Sequence, residues 1–339
     1  MSTSALTQTE ALTPARALAV VPELDGRRAA PVIEIAHLRK AYGTIVAVED
    51  VSFTVRAGEI FGILGRNGAG KTTTVECISG LRAADGGTIS VLGRDPRRDR
   101  SELHERVGVQ LQHSALPDRM KVGEAVDLYA SFYERPADGR ELISSLGLEA
   151  ARDQYYGKLS GGQKQRLSIV LALIGRPDIA ILDELTTGLD PEARRDTWRL
   201  IEGVRDRGVT IVLVTHLTEE AERLCDRVAL IDHGRVTALD APDALGRQAA
   251  TGKRVRLRSA GAHGDEVLRT LPAVSAIEHH GEDVVVTGSG DLVAEVVLAL
   301  DRAGLRAHDV RTETASLQDA FLALTDESDH TTTTREGER

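Results

Sequence analysis

The sequence predicts an α/β chain built on a parallel sheet, followed by a smaller α+β unit. Three observations predict this. Short runs that are apolar throughout, "IFGIL", "IAIL" and "TIVLVT", alternate with helical patterns, as strands covered on both faces by crossover helices do. The first of these runs passes directly into the glycine-rich segment "GRNGAGKT" and then a helix. After about Gly246 the order becomes strand, helix, two strands, helix, strand, which is the split arrangement of a ferredoxin-like unit.

Taken in order, residues 1–31 are rich in Ala, Thr and Pro without periodicity and read as a flexible tail. "VIEIAHLRKAY" suggests an edge strand carried by Ile33, Ile35 and Leu38. "VSFTVRAGEIFGILG" gives two strands split by a turn at Ala57-Gly58. A mostly helical stretch, about 122–175, forms a lobe ahead of the strands in "DIAILDE" and "VTIVLVTH". Residues 32–245 read as one domain and 246–325 as an accessory βαββαβ unit. "SLQDAFLALT" closes that unit as a short helix, with Ser316 and Asp319 at capping-box spacing. Residues 326–339 are polar and read as a disordered tail.

Composition excludes several function classes. A formal net charge of −10 argues against duplex nucleic acid or an anionic membrane surface as partner for the bulk of the molecule. Cys77 and Cys225 are far apart, with no metal-type spacing around either, and imply packed thiols in a reducing compartment. No apolar run approaches the roughly 18–20 residues that span a bilayer, and the N-terminus lacks the pattern of a signal peptide. The expectation is a soluble cytoplasmic protein with no membrane span of its own.

"GRNGAGKT" matches G-x-x-x-x-G-K-[ST] in the strand-to-helix context that motif demands. Gly65, Arg66, Asn67, Gly68, Ala69 and Gly70 would wrap backbone N–H groups around phosphates, and the helix N-terminus adds partial positive charge. Lys71 supplies a point charge for the β/γ oxygens, Thr72 a hydroxyl for Mg²⁺, and Thr73 continues the cradle. A plain tight turn would have no use for Lys-Thr at this offset. Downstream, Asp183 ends an apolar strand, where ligands sit in open α/β sheets, and is read as a holder of Mg²⁺. Glu184 beside it is read as the general base for water. "LSGGQKQRL" then poses a puzzle, because Gly161 and Gly162 are poor helix formers placed where a helix must begin.

With these motifs in this order, the chain resembles the ATP-binding subunits of ABC transporters over roughly residues 32–244. The resemblance implies a phosphate-loop cassette: a parallel core with antiparallel edge strands and a helical lobe. It also implies two such chains paired head to tail, each ATP held between one chain's phosphate loop and the other's LSGGQ. On that reading Ser160, Gly161 and Gly162 touch the γ-phosphate bound by the partner, and a helix beginning at Gln163 points its positive end there. Tyr42 matches the aromatic that stacks on adenine, Gln112 the glutamine contacting Mg²⁺ and the attacking water, with Gln110 two residues earlier. Asp190 in "TTGLD" meets the partner chain, and His216 bonds the γ-phosphate. Arg66 and Leu185 stand where prolines are common in the family.

"TTGLD" and "SLQDAFLALT" resemble the drug-resistance branch of ABC-2 type exporters, the daunorubicin/doxorubicin-resistance ATP-binding proteins. Gln318 replaces an acidic residue usual there. The resemblance implies Mg²⁺-dependent ATP hydrolysis driving efflux of a drug or antibiotic-like compound. A separate transmembrane permease would carry it, with this chain peripheral on the inner face of the membrane. A lipid or polysaccharide exporter and an importer remain alternatives. A soluble mechanical ATPase on ribosomes or DNA fits less well, since the chain has one cassette and no sustained heptads.

Overall fold

The computed structural model describes residues 31–110, 116–249, 252–258, 261–313 and 316–324. The chain starts with β1 (Pro31–Tyr42), β2 (Ile45–Arg56) and β3 (Ile60–Leu64), then α1 (Lys71–Ile78), β4 (Gly86–Val91), α2 (Arg100–His104) and β5 (Val107–Gln110). The helical lobe follows as α3 (Val122–Ala130), α4 (Gly139–Ser145) and α5 (Gly161–Leu173). The chain returns through β6 (Ile179–Asp183), α6 (Pro191–Arg205), β7 (Thr210–Thr215), α7 (Thr218–Leu224), β8 (Arg227–Asp232), β9 (Arg235–Asp240) and α8 (Pro242–Ala249).

These strands form one nine-stranded sheet in the order β4-β1-β2-β9-β8-β3-β7-β6-β5. From β8 to β5 every neighbour pairs parallel, and the β1-β2 and β1-β4 pairs at the other end are antiparallel. Side-chain alternation explains the apolar runs. On β7, Ile211 and Leu213 enter the core beneath the helical lobe, while Val212 and Val214 enter the core on the opposite face. Ile60 and Leu64 against Phe61 and Ile63 divide in the same way on β3. The expected edge strand β1 is instead second from the edge, because β4 covers it. Only Val91 of β4 is buried, so its sequence carries almost no apolar signal.

Beyond α8 lie β10 (Lys253–Arg258), α9 (Gly261–Arg269), β11 (Val274–His280), β12 (Asp283–Gly288), α10 (Leu292–Arg302) and β13 (His308–Glu313). Their sheet order is β11-β12-β10-β13 with all neighbours antiparallel. Its own apolar core includes Val255, Leu257, Val284, Val286, Val296 and Leu300. A final helix, α11 (317–324), carries the reciprocal capping box: Ser316 Oγ accepts from the N–H of Asp319 at 3.2 Å, and Asp319 Oδ2 accepts from the N–H of Ser316 at 2.9 Å. Among the described residues none of its side chains belongs to the second core. Leu317 and Ala320 are buried in the core under the helical lobe, with Leu224 and Leu245. Glu222 of α7 accepts from the N–H of Leu317 at 2.6 Å, and Arg254 of β10 donates to Asp319 at 2.8 Å, so α11 bridges the two sheets' surroundings. An amphipathic helix shows its apolar face in sequence but not the surface that face will meet.

Candidate nucleotide site

The loop leaving β3 owes its shape to contacts with distant backbone. A Cβ on Gly65 would lie 2.3 Å from the carbonyl oxygen of Ile231, on β8. Gly70 has φ +101°, and a Cβ there would lie 2.4 Å from the carbonyl oxygen of Ala47. The N–H of Gly234 donates to the carbonyl of Ala69 at 3.0 Å and latches the loop from behind. Arg66, Asn67 and Gly68 are left as its exposed crest. Gly70 caps α1 without a side-chain bond, and the first turn holds no acidic residue. Those first N–H groups therefore face outward for an anion.

Lys71 is buried, and its Nζ donates back to the carbonyls of Gly65 at 2.9 Å and Arg66 at 3.0 Å. Burial lowers its pKa, while the nearby Glu184 and Asp183 carboxylates pull it up. β6 delivers Asp183, buried, to the same place, and the Thr72 hydroxyl donates to Asp183 Oδ2 at 3.4 Å. A hydroxyl and a carboxylate at this separation are the hard oxygen donors a Mg²⁺ ion takes, so these residues fit the ion. Gln110, on β5, receives the N–H of Asp183 on its Oε1 at 3.1 Å. It braces Asp183 from within the sheet, a role its position two residues before Gln112 did not disclose. Gln112 itself lies outside the described residues.

Glu184 follows with φ +51°, a left-handed conformation unusual for a side-chain-bearing residue. Its N–H donates to the carbonyl of Val214 at 2.9 Å, and Oε1 lies 3.2 Å from His216 Nδ1. Lys71, Thr72, Asp183, Glu184 and His216 thus converge at the carboxyl ends of β3, β6 and β7. Thr73 is half-buried in the first turn of α1. Tyr42 is exposed at the end of β1, with Arg82 over its ring at 5.1 Å and Lys40 at 5.6 Å.

The LSGGQ segment behaves differently. α5 begins at Gly161 rather than at Gln163. Ser160 is its N-cap, Ser160 Oγ accepting from the N–H of Gln163 at 3.2 Å and Gln163 Oε1 accepting from the N–H of Ser160 at 2.9 Å. The Gln163 side chain is therefore engaged in capping. A Cβ on Gly161 would meet Leu189 at 3.5 Å, and one on Gly162 would meet Ala193 at 3.6 Å. Both are ordinary contacts, and neither glycine is in the left-handed region. The chain's own packing therefore does not require glycine at either position, although Ser160 and Gly161 are exposed. Asp190 caps α6, its carboxylate held below the usual range by the N–H groups of Ala193 and Glu192.

A glycine loop between buried strand and helix, an enclosed lysine, and carboxylates at the next strand's end define a nucleoside-triphosphate site of the phosphate-loop class. Residues 48–187 match the family described as ABC transporter. Nod factor export ATP-binding protein I of Rhizobium sp. (strain N33) is 37% identical over 86% of this chain and 96% of its own length. The protein of that name from Ralstonia nicotianae is 34% identical over 90% of this chain and 97% of its own. Among solved structures, an ATP binding subunit of an ABC transporter superposes with TM-score 0.58 and 30% identity, covering 64% of this chain and 92% of that one. An ATP-binding cassette in a dimeric post-hydrolysis state, bound to ADP and Pi, gives TM-score 0.56 at 25% identity, covering 62% and 98%. The chain belongs to the ABC transporter family, as an ATP-binding subunit of the ATPase class. No helix among the described residues is long and apolar enough to cross a membrane.

Proposed function

We propose that this chain hydrolyses ATP as a head-to-tail homodimer and so drives export through a separate transmembrane permease. Residues 32–245 are the cassette, and 246–325 an accessory unit that supports or regulates the dimer. The observation that carries the dimer is the freedom around Gly161 and Gly162. Two helix-destabilising residues with room for a Cβ have no reason in the chain's own packing. An anion supplied with the partner chain gives one, since a side chain there would hold it away from the N–H groups. The Ser160 hydroxyl and the first N–H groups of α5 face that anion, and the helix dipole adds about 0.3–1 kcal/mol.

Within one chain, the loop 65–70 and the start of α1 bind the phosphates and Lys71 neutralises them. Tyr42 stacks on the base. Thr72 and Asp183 hold Mg²⁺, with Gln112 reaching it from its own loop. When bound, Mg²⁺ supplies charge stabilisation to phosphoryl transfer. Glu184 takes the proton of the attacking water, and His216, hydrogen-bonded to it, orients its carboxylate and contacts the γ-phosphate. Asp190 fixes the start of α6 at the dimer face.

Export is the direction supported by the relatives named for Nod factor export. The resemblance of "TTGLD" and "SLQDAFLALT" to drug-resistance subunits supports a drug or antibiotic-like cargo. The relatives' names favour a second reading, export of a Nod factor-like compound. Either way the chain sits on the cytoplasmic face of the membrane through its permease. Glu184→Gln tests the reading. It should bind ATP, hydrolyse it at least 100-fold more slowly, and accumulate as a dimer in sizing experiments. Wild-type turnover would remove Glu184 from the role of base.

A further inference from the structure

Glu220 is an unusual residue to find where it lies. It has no solvent exposure at all, yet it is a carboxylate. Its Oε1 accepts from the Thr186 hydroxyl at 2.8 Å and from Trp198 Nε1 at 3.2 Å, while its Oε2 is buried with no hydrogen-bond partner among the described residues. A buried carboxylate is a costly way to fill space, and an apolar side chain would pack the same volume. Its position in the chain gives the reason. Thr186 comes two residues after Glu184, and Glu220 comes four residues after His216, in the first turn of α7. The Thr186 to Glu220 bond therefore ties together the two elements that carry the Glu184···His216 contact of 3.2 Å.

The backbone on the Glu184 side needs such a tie. A left-handed, side-chain-bearing residue persists only when its surroundings hold it. Glu184 is fixed upstream by its N–H on Val214. Downstream, the chain turns through weak contacts, with the Thr187 N–H 3.4 Å from the Glu184 carbonyl and the Leu189 N–H 3.2 Å from that of Thr186. Shorter than either is the bond from the Thr186 hydroxyl to Glu220, at 2.8 Å. On the other side, the N–H of Leu217 donates to Thr215 Oγ1 at 3.0 Å and fixes how α7 leaves β7.

We propose that Glu220 is a positioning residue for hydrolysis: by gripping Thr186 from α7, it holds Glu184 in its left-handed conformation with its carboxylate beside His216. This rests on the reading of Glu184 as general base. Among the described residues no hydrogen bond or ion pair joins Thr186 or Glu220 to the phosphate loop or Tyr42, so the grip acts on turnover and not on nucleotide binding.

Steady-state ATP hydrolysis by the purified full chain tests this. Thr186→Val keeps the shape and removes the donated bond; it should lower kcat at least tenfold and leave KM for ATP within about twofold. Thr186→Ser restores the hydroxyl and should restore kcat. Glu220→Leu should reproduce the valine defect from the other end, and Glu220→Gln, which keeps an oxygen acceptor, should stay within about threefold of wild type. Far-UV circular dichroism and a cooperative thermal melt report whether each variant stays folded, since Trp198 itself bonds Glu220.

The decisive comparison is made on a Glu184→Gln background. There Thr186→Val should cost nothing further, because its effect passes through Glu184. Unchanged kcat in Thr186→Val, equal kcat in Glu220→Leu and Glu220→Gln, or an undiminished Thr186→Val effect on the Glu184→Gln background would overturn the assignment. Wild-type turnover in Glu184→Gln alone would instead overturn the general-base reading, so the two failures are distinct.

Discussion

Replacing Gly161 and Gly162 together by alanine separates what the chain needs from what its ligand needs. In the chain alone the new methyl groups meet Leu189 at 3.5 Å and Ala193 at 3.6 Å, so nothing has to move. Each Gly→Ala change at a compatible helical position stabilises by about 0.4–1 kcal/mol, mainly by restricting the unfolded chain. The pair should therefore add about 1–2 kcal/mol, which raises Tm by a few degrees in a domain of this size. Catalysis should move the other way. The methyl groups stand between the N–H groups of α5 and the phosphate we place there, and losing one donor to a developing oxyanion costs about 10²–10³ in turnover. The assay is a thermal melt followed by Trp198 emission, paired with ATP hydrolysis measured across chain concentrations. The expected result is a more stable protein with turnover reduced at least 100-fold. A stabilised variant that hydrolyses at the wild-type rate, or a destabilised one, would refute the argument.

Three further outcomes are expected. Gly70→Ala should behave as the opposite case, losing about 1–3 kcal/mol even without nucleotide, because its methyl would lie 2.4 Å from the Ala47 carbonyl at φ +101°; chemical denaturation checks this, and unchanged stability would contradict it. Leu317→Ala should free α11 from the cassette at a cost of about 2–5 kcal/mol, read as faster hydrogen exchange in residues 317–324 and in α7. The third outcome concerns pH. Burial alone would push the Asp319 carboxyl up, but bonds from Ser316 and from Arg254 outweigh it and hold the group below its ordinary value. Its contribution to α11 docking is then fully present above about pH 4 and is lost as pH falls through the lower folded value. The protection of α11 amides, taken relative to their intrinsic exchange rate at each pH, should fall only on that acid side, and Asp319→Asn should remove the step.

The sequence carried the convergence of Lys71, Thr72, Asp183 and Glu184 because phosphate chemistry constrains local spacing. Lys71 and Thr72 followed from the G-x-x-x-x-G-K-[ST] spacing after an apolar strand, and Asp183 and Glu184 from their place at the end of another. What escaped was set by contacts between distant segments. Gly65 is needed because Ile231, far along the chain on β8, presents its carbonyl there, and nothing in "GRNGAGKT" says so. The helix expected from Gln163 begins at Gly161 instead, with the Gln163 amide closing a capping box, a use that Ser-x-x-Gln spacing would have indicated. Of Glu219 and Glu220, only the second turns inward, and that depends on Trp198 arriving from α6. β4 and the docking of α11 were illegible for the same reason: a weak or amphipathic pattern does not name its neighbour.

The central claim, that each nucleotide is enclosed by two chains, is tested most directly by trapping the contact. One chain carrying Ser160→Cys and a second, of different tagged mass, carrying Arg66→Cys are mixed on a Glu184→Gln background. The native cysteines interfere little, since Cys77 and Cys225 are buried, with the Cys77 thiol pushed up to about 11 and that of Cys225 pushed well above its ordinary value. The account predicts a disulfide-linked heterodimer that forms with ATP and Mg²⁺ and not without them. Absence of that product while the cysteine-bearing chains, with Glu184 restored, hydrolyse ATP at the wild-type rate would contradict it.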